Sequence, residues 1–203
     1  MLEGKYVGLD ELNQELRRCH RCSLALTRKQ VVCGFGCKDA LVFLAGEAPG
    51  GEEDLSGKPF TGRAGKELDE FLNILSMNRD EIYIGNTVKC RPTRPSSRGR
   101  YGKYVNRKPT VQEIKACAPW LDEEIRLINP KVIVTLGGVP LSRVFGKTVK
   151  VGDFRGKVFY SQRYGCYVFP LYHPASVIYD RNKRSLYLDD LANLKDFLQC
   201  QRL

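Results

Sequence analysis

The stretch ALVFLAGEAPGGEEDLSGKPFTGRAGKELDEFLNILSM, residues 40–77, decides the fold. Its first seven residues form a short apolar run that ends in glycine and reads as a buried strand. From residue 62 to 77 the apolar side chains of Leu68, Phe71, Leu72 and Leu75 recur at helical spacing. Between strand and helix lies a loop with Gly46, Gly50 and Gly51, two prolines, Phe60 and the four carboxylates Glu47, Glu52, Glu53 and Asp54. Its glycines let the backbone turn sharply or approach a ligand closely, and their N–H groups are available donors. The carboxylates offer general bases or water-positioning groups, or simply a solvated face. Phe60 offers a lid on the core or a stacking surface for a flat ligand.

Strands and helices alternate on either side of this stretch. A helix is predicted at 9–18, running straight into Cys19-His-Arg-Cys22, and a strand at 81–90. Thr110 and Glu113 make a capping box for a helix over 111–128, which Asn129-Pro130 ends. KVIVTLGG at 131–138 is the clearest strand. A short helix near 139–146, strands near 156–160 and 166–171 and a last helix near 184–199 complete the pattern. Such alternation predicts an α/β protein with a mostly parallel sheet covered on both faces. Ligands of such sheets bind at the carboxyl ends of the strands. The segments from Gly46 onward, 86–90 and His173-Pro174-Ala175 all fall there.

At 203 residues the chain reads as one domain. Its amino terminus has no apolar signal-peptide core, and no apolar run approaches the roughly 18 residues that span a bilayer. A soluble, cytoplasmic protein without membrane contact is therefore expected. Thirty-three Lys and Arg against 23 Asp and Glu leave a formal charge of +10, an excess suited to a polyanion such as nucleic acid. The segment 91–109 concentrates it, with seven Arg or Lys, Tyr101 and Tyr104, three prolines and no acid. It is expected to be a solvated basic loop whose cations and rings suit phosphate contact and base stacking.

Eight cysteines are too few for a secreted disulfide scaffold and point to metal, catalysis or burial. Cys19 and Cys22 form a C-x2-C pair, and Cys90 and Cys117 lie further on. Spacing alone does not separate zinc from a 4Fe-4S cluster, or either from buried thiols. Cys33 and Cys37 form a looser pair that could compete, while Cys166 and Cys200 read as small buried hydrophobes. Asn86 ends a strand with an amide able to donate and accept side by side. His173, one of two histidines, ends another strand, where a structural role is as open as a chemical one.

Taken together, the loop 46–65, NTVKCRP at 86–92, the four cysteines, LGGVPL at 136–141 and HPA at 173–175 resemble, in order, the family 4 uracil-DNA glycosylases. The resemblance spans nearly the whole chain. It implies a three-layer α/β/α sandwich, a 4Fe-4S cluster rather than zinc on Cys19, Cys22, Cys90 and Cys117, and uracil-containing DNA as substrate. It implies hydrolysis of the bond between uracil and deoxyribose without strand cleavage, in base-excision repair; no sequence feature fixes the oligomeric state, and a monomer is the default expectation for an enzyme that must embrace a long polymer. In this likeness Phe60 stacks on the flipped uracil, Asn86 reads its N3 and O4 edge, and His173 donates to O2. Backbone groups near Glu47 and Ala48 complete the pocket.

The chain also departs from that pattern. Ala48 stands where the better-known branch of the superfamily has an aspartate, so Glu47, with Glu53 second, is expected to position the water. The basic loop is longer than usual, and Arg98, Arg100, Tyr101, Lys103 and Arg107 are its expected DNA contacts. Related proteins with such a loop attack the sugar through a loop histidine and stay attached to DNA. Residues 91–116 contain no histidine, and Asn106 takes the corresponding place. The competing expectation is an iron-sulfur protein that captures uracil-DNA tightly or covalently with little turnover.

Overall fold

A computed structural model describes residues 4–97, 103–177 and 181–201. In chain order the elements are α1 (Leu9–Arg17), β1 (Phe35–Gly36), β2 (Val42–Gly46), α2 (Gly51–Ser56), α3 (Arg63–Leu75) and β3 (Ile82–Asn86). Then come β4 (Thr93–Pro95), β5 (Tyr104–Asn106), α4 (Val111–Ile128), β6 (Val132–Leu136) and α5 (Gly138–Phe145). The last are β7 (Phe159–Ser161), β8 (Cys166–Leu171), α6 (Pro174–Val177) and α7 (Arg181–Cys200).

Six strands form one sheet in the order β1-β3-β2-β6-β8-β7. The four inner strands are parallel, and the short edge strands β1 and β7 run antiparallel to them. Strands β2, β3 and β6 are buried at every position. Their continuous apolar character follows from helices on both faces, which leave no side of the strand in water. One face packs Leu12, Leu16, Trp120, Leu121, Ile125 and Val144 of α1, α4 and α5 against Phe43, Tyr83 and Ile133. The other packs Leu68, Phe71, Leu72, Leu191 and Leu194 of α3 and α7 against Leu44, Ile84 and Val134. These are the three layers of an α/β/α sandwich.

The capping box is formed as expected. Thr110 Oγ1 accepts from the Glu113 N–H at 3.2 Å, and the Glu113 carboxylate accepts from the Thr110 N–H at 2.7 Å. Three sequence expectations change. The strand expected over 81–90 stops at Asn86, because the next backbone donors turn to the β2 loop and to a thiol instead of a neighbouring strand. The segment 91–109 is not loop throughout: Thr93, Arg94 and Pro95 pair with Asn106, Val105 and Tyr104 as a small hairpin. Cys166 is buried as expected but Cys200 is exposed, since it lies in the last turn of α7 on the solvent side.

Candidate active site

Parallel registry aligns Gly46 of β2 with Asn86 of β3 at the carboxyl edge of the sheet. A Cβ on Gly46 would lie 2.3 Å from Asn86 Oδ1 and 3.1 Å from the Phe60 ring, so only glycine allows the amide and the ring to close on this point. Beyond Asn86 the chain is tied to the neighbouring loop. Both the N–H and the hydroxyl of Thr87 donate to the Gly46 carbonyl at 2.8 Å, and the Val88 N–H donates to the Glu47 carbonyl at 3.0 Å. Asn86 is buried, yet its amide makes no hydrogen bond among the described residues. An amide engaged by no other described group can match a ligand that presents a complementary donor and acceptor edge.

Phe60 is buried and holds a positive φ of 51°, a region that costs a non-glycine residue of order 1–3 kcal/mol. Arg79 secures it by donating from Nη1 to the Phe60 carbonyl at 3.0 Å and from Nη2 to the Gly65 carbonyl at 2.9 Å. Its Nε bonds Asp69 at 2.7 Å. Gly65 is required as well, because a Cβ there would meet the Phe60 carbonyl oxygen at 2.1 Å. Arg79 and Gly65 therefore belong to the site's support. A lone arginine after a helix carries no sequence signal that could have found it.

His173 follows β8, and its ring centroid is 6.4 Å from that of Phe60 with the planes 19° apart. Its Nδ1 accepts from the Ala175 N–H at 3.2 Å, which leaves the ring proton on Nε2. Burial holds its pKa down at about 4, so the imidazole is a neutral donor at pH 7. Gly137 at the end of β6, with φ of 95°, makes room for this ring: a Cβ there would stand 3.3 Å from His173 Cβ.

Glu47 is half-buried, and burial raises its carboxyl above the ordinary range while Lys108 opposes that shift. Ala48 is half-buried against the core face that carries Trp120. Glu53 is turned inward. Its carboxylate accepts from the Gly50 N–H at 3.1 Å and the Gly62 N–H at 3.5 Å, bracing both ends of the loop that carries Phe60.

The basic hairpin is fastened at its base. Arg107 donates to both Glu113 oxygens, at 2.8 and 2.6 Å, and to the Thr93 carbonyl at 2.9 Å. Arg91 Nε donates to Asn106 Oδ1 at 2.6 Å, and Asn106 Nδ2 lies beside Gly50. Arg107 thus faces α4, whereas Lys103 and Tyr104 are exposed. Arg98, Arg100 and Tyr101 lie outside the described residues.

Cys19, Cys22, Cys90 and Cys117 line one small cavity, together with Arg21, Arg28 and Val88. The Lys89 N–H donates to Cys117 Sγ at 3.2 Å and Arg28 Nη1 to Cys90 Sγ at 3.4 Å. Burial pushes the Cys90 thiol up to about 11 and the Cys117 thiol to about 12, so ionising them calls for a bound cation. No group of three or more His, Cys, Asp or Glu among the described residues stands in metal-holding geometry. The donor chemistry of the cavity nonetheless suits a soft, thiolate-bound group. Cys33 is buried and Cys37 half-buried, and neither lines this cavity. Beside it Lys89 and Glu124, both fully buried, form an ion pair, and Glu124 also accepts from the Gly34 N–H at 3.1 Å.

Residues 33–195 match the family model of the uracil DNA glycosylase superfamily. The chain is 39% identical to the type-4 uracil-DNA glycosylase of Saccharolobus solfataricus over 94% of its length and 87% of that protein's. It is 37% identical to that of Thermotoga maritima, covering 94% and 95%. A type-5 uracil-DNA glycosylase of Thermus thermophilus is 28% identical over 81% and 78%. Among solved structures, the wild-type SMUG2 protein of Pedobacter heparinus superposes with a TM-score of 0.57 at 17% identity, covering 79% of this chain and 77% of that one. That last likeness is one of fold. No helix among the described residues is long and apolar enough to cross a membrane.

Proposed function

The chain belongs to the uracil-DNA glycosylase superfamily and groups with its type-4 members, and from that premise we propose that it hydrolyses the N-glycosidic bond of uracil in DNA to leave an abasic site for base-excision repair. The observation that carries this reading is the meeting of Gly46, Asn86, Phe60 and His173 at the carboxyl edge of the sheet. The whole chain, 1–203, acts in it as one cytoplasmic, monomeric domain.

In this reading a uracil flipped out of the strand stacks on Phe60. Asn86 gives its free amide to the N3 and O4 edge, donating to O4 and accepting from N3. As the bond to the sugar breaks, negative charge gathers on O2 and N1. The neutral His173 donates from Nε2 to O2 and stabilises charge that exists mainly in the transition state. Its low pKa suits that work, since donation needs no protonation change. Glu47, half-buried at the mouth, orients the water. Glu53 shapes the loop and touches the substrate only through that loop.

Cys19, Cys22, Cys90 and Cys117 would hold a 4Fe-4S cluster, which when bound supplies a cross-link between the amino-terminal segment and the 86–90 segment. Lys103, with Arg98, Arg100 and Tyr101, would meet the DNA, and Arg107 would hold the hairpin to α4.

The test is a single-stranded oligonucleotide with one uracil, divided between alkali treatment and direct SDS electrophoresis. Strand scission only after alkali is the expected result. An SDS-stable protein–DNA band would replace hydrolysis by covalent capture, and no change in either lane would overturn both.

A further inference from the structure

Beside Glu47 the surface opens into a cleft of about 540 Å³ between the start of α4 and the end of α5. Its lining combines the apolar side chains of Val111, Ile114, Val139 and Val149 with the cations Lys108, Lys115, Lys147 and Arg143. Arg143 pairs with Asp122, a carboxylate it shares with Arg163. The three lysines are exposed and make no salt bridge among the described residues. Glu47, shared with the site, is the one carboxylate in the lining.

Like charges gathered around a concave surface repel one another and raise its potential, an arrangement that favours a polyanion. The volume is that of a small-molecule pocket, room for a few nucleotides of one strand and too little for a duplex. Apolar side chains beside cations suit sugars and bases together with their phosphates. With no aromatic ring and no side-chain amide in the lining, nothing there reads sequence.

We propose that this cleft is a lane for the single DNA strand as it leaves the flipped uracil on one side, with Lys115 and Lys147 holding its phosphates and Lys108 guarding the entry beside Glu47. The proposal rests on the glycosylase reading, and it extends the DNA surface well beyond the hairpin. Because Glu47 is the one residue of the proposed site in its lining, the lane leads away from that site and serves nucleotides on one side of the uracil.

The experiment compares the wild type with the double variant Lys115→Gln/Lys147→Gln. The control is Lys38→Gln/Lys131→Gln, at the amino ends of the strands. Binding of a labelled uracil-free single strand is followed against salt. Each lysine lost from a phosphate contact should flatten the slope of log K against log salt by about 0.7. The double variant should also bind about tenfold more weakly at low salt, with the control unchanged. For turnover, oligonucleotides extended only 5′ or only 3′ of the uracil are compared. Extension on one side should raise kcat/KM in the wild type, and the double variant should lose that gain. Equal slopes in the wild type and the double variant would overturn the lane whether or not uracil is released. Failure of the wild type to release uracil from any of these strands would overturn the glycosylase reading alone.

Discussion

Gly46 and Asn86 stand in register at the ends of adjacent parallel strands, so close that one methyl group on the glycine would sit 2.3 Å from the amide oxygen. Gly46→Ala should therefore displace Asn86 and press on Phe60. Overpacking of this kind costs about 1–3 kcal/mol of stability, and a shift of the reading amide lowers kcat/KM about 100-fold. Thermal unfolding and uracil release measure the two effects separately. An Ala variant with wild-type turnover would exclude the amide from base recognition.

His173 should act as a neutral donor. Removing it as His173→Ala removes a donor to developing charge, which costs about 10²–10³ in kcat. With its pKa near 4, no inflection in the kcat profile between pH 5.5 and 8 should belong to this ring. The stability linkage has a definite sign. The unfolded histidine titrates near 6.5 and the folded one near 4, so the unfolded chain takes up the proton first. Stability is complete above about pH 6.5 and declines as pH falls toward 4, by up to about 3 kcal/mol, less for the ring's partial exposure. A limb near 6.5 that disappears in His173→Ala would falsify the neutral-donor role.

In the proposed role Glu47 orients water as the carboxylate, and its carboxyl lies above the ordinary value of 4.5 because burial disfavours the charge. The acid limb of kcat/KM should consequently lie higher than for an exposed carboxylate. Lys108→Gln removes the opposing positive charge and should move the limb higher still. Glu47→Gln should flatten it and slow turnover. Persistence of an unshifted limb in Glu47→Gln assigns it to another group.

Cys90→Ala should lose the visible absorbance of an iron-sulfur cluster together with thermal stability. Its thiol shares a cavity with the other three, and its neighbour Lys89 donates to Cys117. A variant that stays folded and active without the chromophore contradicts a structural cluster here.

Flipping a nucleotide costs a few kcal/mol in a duplex and least in a mismatch or single strand, and stacking on Phe60 returns about 1–3 kcal/mol. Single strands and U·G pairs should be processed ahead of U·A. Initial rates on the three substrates decide it, and fastest release from U·A contradicts the flipping argument.

Much of this was legible before any coordinates. The apolar runs ending at Gly46 and Gly138 mark their strands because strands buried on both faces have no polar positions to blur the pattern. The Thr110–Glu113 cap is a local device and could be read locally. Asn86 ends β3 and His173 follows β8, so the alternation of elements was enough to bring these two to one edge of the sheet, whereas Phe60, between α2 and α3, was placed beside them only by the family resemblance. What stayed hidden is what the fold assembles over long separations. Arg79 reaching Phe60, Lys89 meeting Glu124 and Glu47 sharing a cleft with Lys147 have no mark in local sequence. The hairpin was also missed, because its strands are three residues each, too short to show the alternation that identifies a strand, and one of them ends in Pro95.

The Arg107–Glu113 fork and the Arg91–Asn106 bond clasp the hairpin where it leaves the body, and the Ser96 N–H closes onto the Lys103 carbonyl at 2.8 Å. The connection between β4 and β5 is thereby closed by contacts that involve none of Gly46, Phe60, Asn86 or His173. A longer or differently composed tip adds only about 0.6 kcal/mol for each doubling of loop length. Evolution, or an engineer, can therefore rewrite that connection as an exchangeable cassette, and on the proposed reading such a change retunes which DNA is approached and leaves the base pocket as it is.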